Sequence, residues 1–136
     1  MTGETGLKKI LHNLSPILRD HEYVFCSIEH AGYGDYASAR PLAAFLEDEG
    51  LSLVLTREAA EQLGLVYDGV FRCISLGVHS SLEAVGLTAA VSSEFAQHGI
   101  AANVVAAHYH DHIFVPQEYA YRAIELLSGL SKRSNE

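Results

Sequence analysis

From residue 70 onward the chain alternates between strand-like and helix-like apolar patterns, and this order constrains the fold more than any other feature. VFRCISLGVH (70–79) reads as a strand. In SSLEAVGLTAAVSSEFAQHG (80–99), Leu87, Val91 and Phe95 fall at four-residue intervals, with Ala84 and Ala90 beside them, so a loop leads into an amphipathic helix that stops at Gly99. IAANVVAAHY (100–109) and HIFVP (112–116) read as two further strands, and QEYAYRAIELLSGL (117–130) as a closing helix. Strand, helix, strand, strand, helix is most of a βαββαβ unit, whose helices cover one face of an antiparallel sheet.

The first half is less regular. LKKILHNLSPIL (7–18) carries Leu7, Ile10, Leu11, Leu14 and Leu18 at helical spacing, with Thr5 or Gly6 as a start and Pro16 ending the regular part or beginning another turn. EYVFCSIEH (22–30) reads as a strand and HAGYGDYASARP (30–41) as a loop. Periodicity leaves 41–55 open between a short helix and two strands around Asp-Glu-Gly, although LSLVL (51–55) alone is a clear strand. Thr56 is a good N-cap for a helix over 57–63 that Gly64 ends. The strand, loop, hairpin, helix order resembles a worn copy of the second half, with Glu58 and Glu118 at corresponding helix starts.

Composition narrows the function classes. The 136 residues suit one ordinary domain or two very small ones, and 49 % apolar content is enough for a core. With 17 acids against 9 scattered bases, net charge −8, there is no basic stripe for nucleic acid or for an anionic membrane. No apolar run approaches the roughly 18–20 residues of a membrane span. The N-terminal segment lacks a signal-peptide pattern, which points to the cytoplasm. Cys26 and Cys73 lie far apart in apolar runs and read as buried free thiols.

VFRCISLGVHSSLEAVGLTAAVSSEFAQHGIAANVVAAHYHDHIFVP closely resembles the bacterial proteins classed as predicted amino-acid-binding ACT domain proteins, small stand-alone chains with two ACT-like repeats. HSSLEAVGLTAAV, GIAANVVA and YHDHIFVP carry the resemblance, and AFLEDEGLSLVLTREAAEQLGL resembles the matching part of the first repeat. The chain is more distantly similar to animal cytosolic arginine sensors and to aspartate kinase regulatory domains. The resemblance implies an α+β, ferredoxin-like ACT fold of two tandem βαββαβ-type repeats, the first degenerate. It places the repeats at 1–67 and 68–131, before a flexible tail at 132–136, and makes 41–55 a β-hairpin. It also implies a regulatory protein that binds a free amino acid, acts in trans or as a homodimer, and has no catalytic activity. The second repeat has no obvious last strand, so the other repeat or a second chain must complete its sheet.

The ligand is expected at the loop after the 70–79 strand. A helix N-terminus suits a carboxylate, Gly86 leaves room for close approach, and Ser80, Ser81 and Thr88 supply hydroxyls. The alternative is that both serines only cap the helix and that Gly86 only permits close packing. His79, Val85 and Leu87 complete this loop set, and Asn103 with Val104 on the next strand is expected to close over the ligand. Asn103 could instead be a strand-edge amide bonded to backbone. An enzyme would have to use Glu83 or Asp111 with His79 or His110, but GxSxG, CxxC, HExxH and Gly-rich phosphate motifs are absent, and no cofactor is expected. A ligand-free interaction module remains a further alternative.

HYHDH (108–112) is the other conspicuous cluster. On a continuous strand its three histidines would share a face and could hold a metal. Two flanking strands instead require a reversal near His110 and Asp111, with Asp111 as the turn residue and His108 facing His112 across the hairpin. No metal is expected there.

Overall fold

The computed structural model describes residues 6–134. Its elements run α1 (Leu7–His12), β1 (Pro16–Ile28), a 3-10 turn (Ala37–Ala39), β2 (Ala43–Glu47), β3 (Gly50–Thr56), α2 (Arg57–Gln62), β4 (Phe71–Leu76), α3 (Leu87–Gln97), β5 (Asn103–Ala106), β6 (Asp111–Pro116), a second 3-10 turn (Gln117–Tyr119) and α4 (Ala120–Arg133). Two compact units divide the described chain: 6–20 with 72–134, and 21–71.

In the larger unit the strand order is β1–β4–β6–β5, with residues 16–20 supplied by β1. This completes the sheet that the second half lacked. The completing strand is the segment after α1, tied in by Gly77 N–H to the Ser15 carbonyl (2.9 Å) and Val78 N–H to the Leu14 carbonyl (3.3 Å). It also corrects the helical reading of 7–18, in which Pro16 was expected to end the regular part or begin another turn. The helix stops at His12, Ser15 takes φ 47°, and Pro16 begins a strand that continues to Ile28 rather than starting at 22. The apolar spacing misled because Ile10 and Leu14 enter one core from two kinds of backbone. Helix α1 is capped by Gly6, while Thr5 lies outside the described residues.

The core of this unit collects Ile74 and Leu76 of β4, Ile113 and Val115 of β6, and the inner faces of α1, α3 and α4. Leu87, Val91 and Phe95 are buried as their spacing predicts. Glu94 is buried on the same helix, and its Oε1 receives the Arg133 guanidinium at 2.8 Å. Helix α4 runs to Arg133, past the expected end at 130, and residues 135–136 of the expected tail lie outside the described residues.

The smaller unit has the order β2–β3–β1 and packs α2 over Val24, Cys26, Leu51, Leu53 and Leu55. The ambiguous 41–55 stretch is the hairpin β2–β3, paired from Ala43–Val54 to Glu47–Gly50. Thr56 caps α2 by accepting the Ala59 N–H at 3.2 Å, and Gly64 follows the helix at φ 67°. Where the second half has α3, this half has only the loop and 3-10 turn before β2. Both cysteines are buried and free, and burial pushes both thiols up from their ordinary pKa.

Candidate functional site

The β4–α3 loop, the first turn of α3 and the end of β5 enclose a cleft of about 180 Å³. Its construction begins with a glycine. Gly86 is the N-cap of α3 at φ 102°, ψ −14°, and α3 has no side-chain cap. The first intrahelical bond runs from Ala90 N–H to the Gly86 carbonyl (2.9 Å). The N–H groups before it point out of the helix end without helical partners, at the positive end of the helix dipole. Gly86, Leu87, Thr88 and Ala89 line the cleft.

The serines do not cap this helix, because it opens at Leu87, well past them. Ser81 Oγ instead accepts the Glu83 N–H at 3.1 Å, shaping the loop. Ser80 is buried, and its hydroxyl donates to Asp111 Oδ2 at 3.0 Å. Gly86 is also required by its backbone, because positive φ is unfavourable for other residues; an added Cβ would lie 2.9 Å from Leu7 Cδ2, the end of an exposed side chain that can move aside. The left-handed backbone, more than close packing, therefore calls for the glycine, and Gly86 also lies on the cleft wall.

Five of the expected ligand residues meet at the cleft: Ser80, Ser81, Gly86, Leu87 and Thr88. The other four do not line it. His79 packs its ring 5.1 Å from that of Tyr109. Val85 is 83 % exposed. Asn103 reaches the Phe114 carbonyl at 3.5 Å, the backbone-bonded edge amide of the alternative reading. Val104 packs against the core opposite Ile113.

Sequence reasoning missed Leu82, Ala84, Ala89, Ala106, Ala107 and above all Asp111 as cleft residues. Asp111 is not a turn residue. The reversal runs from Ala107 to His110, closed by the Ala107 N–H on the His110 carbonyl (3.1 Å), and Asp111 is the first residue of β6, opposite Ala106. Period-two alternation puts it on the face of Ile113 and Val115, which are core residues. It is only 7 % exposed. Counting back from Val115 and Ile113 was the available signal.

The histidines of 108–112 separate for the same reason. His112 pairs with Val105, not His108. His110 Nδ1 donates to the Val78 carbonyl at 3.4 Å, and the His108 ring rests against Tyr109. Among the described residues no group of three or more His, Cys, Asp or Glu side chains is placed to hold a metal ion. His112 Nδ1 lies 2.8 Å from Ser75 Oγ, which also accepts from Arg19 Nη1 at 3.4 Å. Burial, and next the Arg19 charge, hold the His112 pKa below its ordinary value. A depressed folded-state pKa means the unfolded chain binds the proton more readily. This stabilisation is therefore complete above pH ~6.5, the usual imidazole value, and is lost as pH falls through the lower folded value. Urea titrations from pH 7.5 to 5 should show wild type losing more stability than His112→Asn. Equal losses would remove His112 as the cause.

Comparison with known proteins agrees with this architecture. An ACT domain family model matches residues 2–72, and a second ACT domain model matches 69–129. Among solved structures, a Vibrio cholerae protein of unknown function, possibly a transport protein, is 48 % identical over 92 % of this chain and 95 % of its own, with a TM-score of 0.84. An Agrobacterium tumefaciens protein has a TM-score of 0.71 at 18 % identity, over 86 % of this chain and 88 % of its own. The regulatory subunit of aspartate kinase from Thermus flavus has a TM-score of 0.60 at 12 % identity, over 85 % and 96 %. At those identities the last two show a shared fold only. No curated protein matches the chain. Two family matches, each to one half, and the strand and helix order of the structure lead to one statement: the chain belongs to the ACT domain family, with a two-repeat, ferredoxin-like fold.

Proposed function

We propose that this chain is a regulatory protein that binds a free amino acid in the α3 cleft and has no catalytic activity of its own. Family membership supports a regulatory, small-molecule-binding role. The observation that carries the finer reading is the uncapped α3 N-terminus on the wall of a small cleft. Its free N–H groups and dipole end suit a ligand carboxylate, and the volume is below the roughly 300–1,000 Å³ typical of drug-sized ligands. The repeat boundary near 67/68 remains part of this proposal.

The signal would pass in trans or through a homodimer. Self-association is supported by β2, which among the described residues pairs only with β3 and exposes Phe45 (72 %) and Leu46 (51 %). A reducing, cytoplasmic setting suits two buried free thiols.

Thermal unfolding against each of the twenty amino acids tests the reading. A ligand that binds only the native state, present at 100 times its Kd, adds about 2.7 kcal/mol and should raise Tm by roughly 5–10 °C. If none of the twenty raises Tm, the amino-acid reading fails. Turnover of any of them would favour an enzyme instead.

A further inference from the structure

The geometry points to Asp111 as the receptor for the ligand's α-ammonium group, and to small, neutral α-amino acids as the ligand class. This rests on the amino-acid reading of the cleft. Asp111 is 93 % buried yet lines the cleft. Its carboxylate has one side-chain hydrogen bond, from Ser80 at Oδ2, and no cation is paired with it among the described residues. His112 follows it on β6, where strand alternation turns that ring to the opposite face, although the Asp111 charge still acts on it; His110 precedes the strand, and its Nδ1 donates to the Val78 carbonyl. A carboxylate taken out of water with a single hydroxyl partner is costly unless a cation joins it. A structural role alone would be served as well by asparagine.

The cleft thus has two poles. The α3 N-terminus favours negative charge, and Asp111 favours positive charge. Together they match one carboxylate and one ammonium, the constant part of every α-amino acid. Nothing remains for a third charge. Among the described residues Asp111 is the single charged one lining the cleft, so an acidic side chain would be repelled and a basic one would compete with the ammonium. Ala84, Ala89, Ala106 and Ala107 present only methyl groups to the variable part of the ligand. With about 180 Å³ available, side chains of the size found in glycine, alanine, serine or threonine are admitted.

The test crosses two proteins with two ligands. Calorimetry measures L-alanine and L-lactate, which keeps the carboxylate but lacks the ammonium, on wild type and Asp111→Asn. Wild type should prefer L-alanine, and Asp111→Asn should weaken L-alanine on the order of 10–100-fold while leaving L-lactate unchanged. The ligand-free variant should melt no lower than wild type. Should it fail to fold, Ser80→Ala serves instead: without its hydroxyl donor the Asp111 carboxylate depends more on the ammonium, so the preference for L-alanine over L-lactate should widen several-fold, and an unchanged preference overturns the assignment. Unchanged L-alanine binding by Asp111→Asn, or tighter wild-type binding of L-arginine, L-glutamate or L-tryptophan than of L-alanine, overturns this inference and leaves the amino-acid reading standing. If no amino acid binds wild type, both fall.

Discussion

Phe95→Ala should lower the stability of the unit that carries the cleft by about 3–5 kcal/mol. Phe95 is fully buried near the end of α3, one turn beyond Val91 and two beyond Leu87, in a core shared with β4, β6, α1 and α4. Removing the ring loses its transfer free energy and leaves a cavity that its neighbours fill only partly. Those neighbours belong to four separate elements, which limits how far any one can collapse inward. Urea unfolding followed by far-ultraviolet circular dichroism reads the change. A loss below about 1 kcal/mol would mean the α3 core is not packed as described. Phe95→Leu, which keeps much of the volume, should lose markedly less.

A loss of about 2–4 kcal/mol is expected for Gly50→Ala, for a different reason. Gly50 ends the tight β2–β3 connection, opposite Glu47, at φ 149°. An added Cβ would lie 2.6 Å from the Ile28 carbonyl oxygen and 2.9 Å from its carbonyl carbon. Both are backbone atoms of β1, so no side chain can swing away to make room. The strand must shift, and with it the β1–β3 ladder that pairs Ile28 with Leu51. Gly34→Ala is the control, because an added Cβ there has open space around it. Thermal melts of the two variants should differ clearly. If both behave alike, close approach at Gly50 is not what requires the glycine.

The two substitutions differ in how far sequence could foresee them. The burial of Phe95 was legible because helix periodicity is local: three apolar residues at four-residue spacing define a face wherever the helix packs. The close contact of Gly50 with Ile28 was not, since it joins residues far apart in the chain. Residues 41–55 show the limit from another side. Leu42, Phe45 and Leu46 fit a helix as well as a strand, and the family resemblance was needed to choose the hairpin that the structure has. In 7–18 the same ambiguity went the other way, and a helical pattern continued into a strand.

The cleft divides along the same line. Ser80, Ser81, Gly86, Leu87 and Thr88 were legible because they form one local loop leading into one helix. Asn103 shows what local reading leaves open: a lone polar residue in an apolar strand invites a ligand role, and here it lies off the cleft wall and reaches a backbone carbonyl. Asp111 was misread as a turn because aspartate is common in turns, while the reversal actually closes one residue earlier.

By itself, then, the sequence determined the order of strands and helices through 70–130, the buried face of α3, the cap of α2 by Thr56, and the loop on which the cleft is built. These depend on periodicity and on turn and cap chemistry, which act over a few residues. Only the tertiary structure decided that residues 16–20 complete the second-half sheet, that Gly50 lies against Ile28, and that a carboxylate from β6 meets Ser80 across the cleft. Each is a contact between distant parts of the chain, settled by strand register. A one-residue change in register would have turned Asp111 out of the core and left the cleft without its charge.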